Sequence, residues 1–233
     1  EFLNEFLVAD PFSEIAWHQL GRQYASKGLL KEALSSYDFA VICDKDFIGA
    51  YFEMGKTLQK MKRYNEAILT YEMTLSIDEP TAFALFHIGQ CHIELGNTKL
   101  ALQYFKRTLN EDPLYEKAWI ALIDVYCKNK DFKKALYYAK KSLHVDNVNV
   151  ATWKRYAEIN FALGFLEEAD MGFTECVNLG NYEVDTWVKW ADVLKEMHDY
   201  PSALEVLQHG LEFHPESSVI NFRLGGIYLL SSQ

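Results

Sequence analysis

No apolar run in this chain approaches the ~20 residues that a membrane-crossing helix needs, so no part of it is expected to insert into a bilayer. Positive charge is scarce: 23 lysines and arginines stand against 33 acidic residues, a net charge of -10. That balance argues against a nucleic-acid backbone or an anionic membrane as the main partner, since both select a basic footprint. Cysteine is also sparse. Cys43, Cys91, Cys127 and Cys176 form no C-x-x-C pair and fall mostly on apolar faces, so they read as reduced core residues and predict a cytoplasmic setting. A serine-histidine-acid set, a phosphate-binding loop and a paired-acid motif are all missing, and the expectation is a non-enzyme with no cofactor. His87, Cys91 and His92 are the one cluster with metal-ligand chemistry. It lacks a third convergent ligand, and His92 falls at a position expected to be buried, so no metal site is expected.

The sequence does have a period. Stepping by 34 from Trp17 gives Tyr51, Leu85, Trp119, Trp153 and Trp187; stepping from Ala33 gives Ala67, Ala101, Ala135, Ala169 and Ala203. An unbroken period means one solenoid in which each unit packs on its neighbours, not a set of independent domains. The repeats run 14–47, 48–81, 82–115, 116–149, 150–183 and 184–217. Residues 1–13, with Phe2, Leu3, Phe6 and Leu7 at helical spacing, read as the end of an upstream repeat, and residues 218–233 as the first helix of a further one. We therefore read the chain as part of a longer array.

Within each repeat, residues four, seven, eight and eleven form the stripe of an amphipathic first helix: Trp17, Leu20, Gly21 and Tyr24 in repeat one. Gly21, Gly55, Gly89, Ala157 and Ala191 keep residue eight small where the second helix crosses, while Ile123 breaks the rule. The second helix brings an aromatic one turn after its alanine, at Tyr37, Tyr71, Phe105 and Phe173, with Ala139 and Leu207 as exceptions. Gly28, Gly96 and Gly164 are expected left-handed caps, Asn97 and Asp131 expected N-caps, and Pro201 fits a first turn. Asp112-Pro113, His214-Pro215 and, one residue late, Glu79-Pro80 break the chain between repeats; Leu179-Gly180-Asn181 replaces that break before repeat six.

The pattern W-x2-L-G-x2-Y…A-x3-F resembles the tetratricopeptide repeat over essentially the whole chain, and the opening Asp10-Pro11-Phe12-Ser13-Glu14-Ile15-Ala16-Trp17 looks most like bacterial members of that family. The resemblance implies an all-α, right-handed superhelical solenoid of antiparallel helix pairs. It also implies a concave groove, lined by first helices, that holds a peptide or helical segment of a partner protein. Carried over position by position, the groove takes its lining from the fifth residues, His18, Phe52, Phe86, Ile120, Lys154 and Val188, and the ninth, Arg22, Lys56, Gln90, Asp124, Glu158 and Asp192. Phe52, Phe86 and Ile120 are the expected apolar anchors. Arg22 and Lys56 at one end, and Asp124, Glu158 and Asp192 at the other, suit a partner with an acidic end, an apolar centre and a basic end. The lysine-asparagine pair by which some members grip a terminal carboxylate is absent, and Glu158 beside Lys154 would repel one.

Charge is uneven. Repeat 116–149 carries Lys117, Lys128, Lys130, Lys133, Lys134, Lys140 and Lys141 against four acids, whereas the next two repeats hold thirteen acids and four bases. We expect an ordinary solvated face, a second docking surface, or an intermolecular charge match with repeats five and six. The alternatives to an interaction scaffold are self-association through open ends, at Phe2, Phe6 and Leu7 or at Ile227, Tyr228 and Leu229, and a positioning arm for a domain outside this stretch.

Overall fold

The computed structural model describes residues 10–77 and 81–231, and among these every regular element is an α-helix. The helices are α1 Glu14–Ser26, α2 Leu30–Cys43, α3 Ile48–Lys60, α4 Tyr64–Ile77, α5 Ala82–Glu94, α6 Thr98–Glu111, α7 Glu116–Lys128, α8 Phe132–Val145, α9 Val150–Leu163, α10 Leu166–Asn178, α11 Val184–Glu196, α12 Tyr200–Phe213 and α13 Ser218–Ser231. The fold class is an all-α helical solenoid. Contacts divide it into two compact units, Glu1–Ala118 and Trp119–Gln233. In the first, α1 packs on α2, α3 on α4 and α5 on α6; in the second, α9 packs on α10 and α11 on α12, and α12 on α13. The apolar stretch at Phe2, Phe6 and Leu7 and the Glu79-Pro80 break lie outside the described residues.

One turn closes the helix pairs of both units. After α1, Leu29 N–H donates to Tyr24 O at 3.0 Å and Gly28 N–H to Ala25 O at 3.1 Å, the Schellman arrangement that satisfies the last carbonyls of a helix. It recurs after α3, α5, α7, α9 and α11, and also after α10, and its left-handed residue is glycine at Gly28, Gly96, Gly164 and Gly180. Lys62, Lys130 and His198 hold the same place at φ of 59°, 58° and 61°. There the turn overrides the preference of L-residues against that region. Between repeats, Asp44, Asp112 and Asp146 each accept the N–H two residues on, at 2.9, 2.9 and 3.1 Å, and turn the chain into the next first helix.

Caps differ from expectation in one place. Asp131 accepts Lys134 N–H at 3.2 Å, but Asn97 makes no side-chain cap bond. Ser13, Thr81 and Asn149 cap first helices instead. The third residue of each first helix is the buried position that the stripe omits: Ala16, Ala50, Ala84, Ala118, Thr152, Thr186 and Ile220 are all at most 4% exposed. It meets the preceding second helix. Ser142 and Thr152 hydroxyls lie 3.1 Å apart, and a Cβ on Gly210 would stand 3.1 Å from Ile220 Cδ1.

Candidate functional site

In the first unit, the outward face of α3 and α5 is aromatic. Phe52 is half-buried, its ring edge-on to Phe83 at 4.8 Å, and Phe83 lies 4.3 Å from His87. Lys56 Nζ sits 5.6 Å above the Phe83 ring and 2.7 Å from Glu53 Oε1. Beneath this face, Gln59 Oε1 accepts Tyr71 O–H at 2.8 Å and lies 2.9 Å from His87 Nδ1. An amide oxygen only accepts, so His87 carries its proton on Nδ1. Burial, followed by the Lys56 and Lys117 charges, lowers the His87 pKa to about 4, so the ring is neutral at pH 7. His18 is half-buried between Tyr37 and the edge of Phe47, and burial lowers its pKa as well. Arg22 is exposed and has no ion-pair partner among the described residues, and Gln90 is half-buried.

Phe86 does not belong to this face. It is 3% exposed and packs between Phe105 at 5.7 Å and Tyr115 at 5.1 Å, so it serves the core between α5, α6 and the turn before α7. The exposed-side aromatic of that repeat is Phe83, at the second residue, one turn earlier on the same side as Phe52's neighbours. Counting on the fifth residue alone passed over it.

In the second unit, Ile120 is half-buried, but Val188 is 8% exposed and joins the core with Trp187 and Leu194. The ninth-residue acids are not open to a basic partner. Asp124 receives Arg155 through Nε at 2.6 Å and Nη2 at 3.3 Å, Glu158 receives Lys189 at 2.6 Å, and Asp192 receives Arg223 at 3.2 Å. Each pair joins the ninth residue of one repeat to the sixth of the next, 31 residues on. Arg155 also reaches Glu158 at 3.0 Å, so Asp124, Arg155, Glu158, Lys189 and Asp185 form one continuous ladder. Lys154, 15% exposed, is held by Glu183 at 2.7 Å and Asp185 at 3.0 Å; burial pulls its pKa down, but the two carboxylates raise it on balance. The sixth-residue cations were legible in their 31-residue offset from the acids, a spacing that a groove defined by fifth and ninth residues does not test.

All four cysteines are free thiols. Burial pushes Cys91 and Cys127 up to about 11 and Cys176 to about 12, so these sulfurs stay protonated. Among the described residues no group of three or more His, Cys, Asp or Glu side chains is placed to hold a metal ion, and no helix is long and apolar enough to cross a membrane.

Two family models described as tetratricopeptide repeat match the chain, over residues 48–80 and 83–114. A search of curated proteins returns no match. Solved structures give the same fold at low identity. The Cut9–Hcn1 hetero-tetramer of the APC/C is 17% identical with a TM-score of 0.62; the match covers 97% of this chain, which spans only 45% of that one. PilW, a type IV pilus biogenesis factor, is 21% identical with a TM-score of 0.67, over 91% of this chain and 98% of that one. YrrB, described as having an unusual peptide-binding site, is 18% identical with a TM-score of 0.58, over 77% of this chain and 93% of that one.

Proposed function

We propose a specific role from the premise that this chain is a tetratricopeptide repeat protein, and so a protein–protein interaction scaffold: the first-helix face of its first unit, on α1, α3 and α5, binds a short segment of a partner protein. The carrying observation is the half-buried pair Phe52 and Phe83, with the Lys56 ammonium over the Phe83 ring and Arg22 one repeat away. Apolar rings that the repeat's own packing leaves part-covered offer area to an aliphatic or aromatic side chain. Arg22, exposed and without an ion-pair partner among the described residues, favours a neighbouring carboxylate and sets the segment's direction, and Lys56 joins it by exchanging its bond to Glu53 for the partner's carboxylate. His87 contributes shape rather than charge, since it is neutral and tied to Gln59.

This reading narrows the groove set out by the fifth and ninth residues. His18, Arg22, Phe52, Lys56 and Gln90 remain contact residues and Phe83 joins them. Phe86 supports the face from beneath, because its ring is spent on Phe105 and Tyr115. In the second unit Ile120 stays a candidate contact, while Asp124, Lys154, Glu158 and Asp192 fix one repeat on the next, and Val188 is core. A basic end on the partner is therefore no longer required. Peptide display against the full chain tests the reading. Enriched peptides are expected to place a large apolar residue within a few positions of Asp or Glu. Enrichment of basic peptides, or of none, would contradict it.

A further inference from the structure

The outward stripes of α8 and α10 are opposite in charge at the same positions of consecutive repeats. Lys133, Tyr137 and Lys141 on α8 stand 34 residues before Glu167, Met171 and Glu175 on α10. Each stripe is an apolar side chain with a charge one turn to either side. Tyr137 is 60% exposed and Met171 46% exposed, large side chains that their own chain leaves part-covered, Tyr137 with only the edge-on Tyr138 ring beside it at 5.1 Å among the described ring contacts. Lys133, Lys141, Glu167 and Glu175 form no ion pair among the described residues, in a unit where the first-helix charges are nearly all paired. A second opposed couple, Lys134 and Glu168, lies beside the first, with Lys134 also bonded to Asp131 at 2.7 Å.

We propose that this chain forms a two-fold dimer in which α8 of each copy lies along α10 of the other. Consecutive second helices point the same way, so a two-fold axis running between α8 and α10, parallel to both, lays each stripe on its opposite in register. Lys133 then meets Glu167 of the second copy, Tyr137 meets Met171, and Lys141 meets Glu175. The same contacts form twice, and the interface is isologous and closed. The thioether of methionine suits an aromatic ring; a one-turn slip would set charges against the apolar side chains, and pairing α8 on α8 or α10 on α10 would oppose like charges, so the flanking charges select α8 against α10 in this register. An unrelated acidic partner would explain the lysines of α8 but not the matching acids of α10; a second copy explains both.

The test is sedimentation velocity on the full chain and on two charge-reversed forms, with circular dichroism confirming that each folds. Lys133→Glu with Lys141→Glu makes both stripes acidic; Glu167→Lys with Glu175→Lys makes both basic. Wild type is expected to dimerise, each reversed form to be monomeric alone, and an equimolar mixture of the two to recover the dimer as a heterodimer. A monomeric wild type, a reversed form that still dimerises, or a mixture that stays monomeric would each overturn the proposal.

Discussion

The ring of Tyr71 fills the space that a side chain on Gly55 would need: its Cε1 lies 2.5 Å from where a Cβ would stand. Gly21 meets Tyr37 and Gly89 meets Phe105 in the same way, at 2.5 and 2.6 Å. The residues are 16 apart, the eighth of the first helix and the aromatic of the second. In repeat four the sizes are exchanged, Ile123 for glycine and Ala139 for the aromatic, and both are fully buried. In repeat five Ala157 takes the glycine's place against Phe173, both fully buried, and the neighbouring Gly172 gives the room, since a Cβ there would stand 2.9 Å from that of Ala157. What is kept across repeats is the summed volume at the crossing, not the residue at either place.

Gly55→Ala is expected to destabilise by about 1–3 kcal/mol, because overpacking forces the Tyr71 ring from its place. Gly225→Ala, also inside a helix but with nothing within 4 Å of its Cβ, is expected to stabilise by about 0.5–1 kcal/mol. Urea unfolding midpoints of the two variants should move in opposite directions; a shared direction would contradict the assignment of the crossing.

His87 makes stability pH-dependent. Its pKa falls from 6.5 when unfolded to about 4 when folded, so between those values the unfolded chain binds more protons. The contribution is complete above pH 6.5 and is lost as pH falls toward 4, on the order of 3 kcal/mol in total. His18 and His92 are lowered by burial too and add slope of the same sign. His87→Gln should flatten the dependence of stability on pH between 6.5 and 4 by close to one proton. An unchanged slope would mean that the buried ring is not what titrates.

The Asp124–Arg155 pair is part-exposed, and a double-mutant cycle with alanine should give a coupling of about 0.5–1 kcal/mol. It should fall toward zero in about 1 M salt, where charges are screened within about 3 Å. Coupling that survives such salt would point to packing of the guanidinium stem instead.

Gly96→Ala is expected to cost about 1–2 kcal/mol, the penalty for an L-residue at a φ of 77°. Lys130→Gly relieves the same penalty at φ 58° but adds freedom to the unfolded chain, and should leave stability within about 1 kcal/mol of wild type. Thermal unfolding of both variants checks the asymmetry.

The fold was legible because the aligned alanines and aromatics mark helix crossings, and a crossing tolerates little variation in volume. Lys62, Lys130 and His198 were illegible as left-handed residues because the turn's hydrogen bonds, not the residue type, impose that conformation. The aromatic face was half legible. Phe52 was found, but Phe86 was assigned by position when its rotamer and neighbours turn it to Phe105 and Tyr115, and Phe83 was passed over. Ion pairing depends on two repeats at once, so reading each repeat alone showed Asp124, Glu158 and Asp192 as open charges. At the far end, Ile227 is 3% exposed and belongs to the core, whereas Tyr228 and Leu229 are exposed.

In the proposed function α1, α3 and α5 present a binding face with Arg22 and Lys56 as its charged contacts. The most direct measurement is the affinity of the strongest displayed peptide for wild type and for Arg22→Glu with Lys56→Glu, both exposed or half-exposed positions whose substitution leaves the core intact. A loss of at least about tenfold, or 1.4 kcal/mol, with the fold unchanged by circular dichroism, is the predicted result. Equal affinity for the two proteins would place the binding site elsewhere and contradict the account.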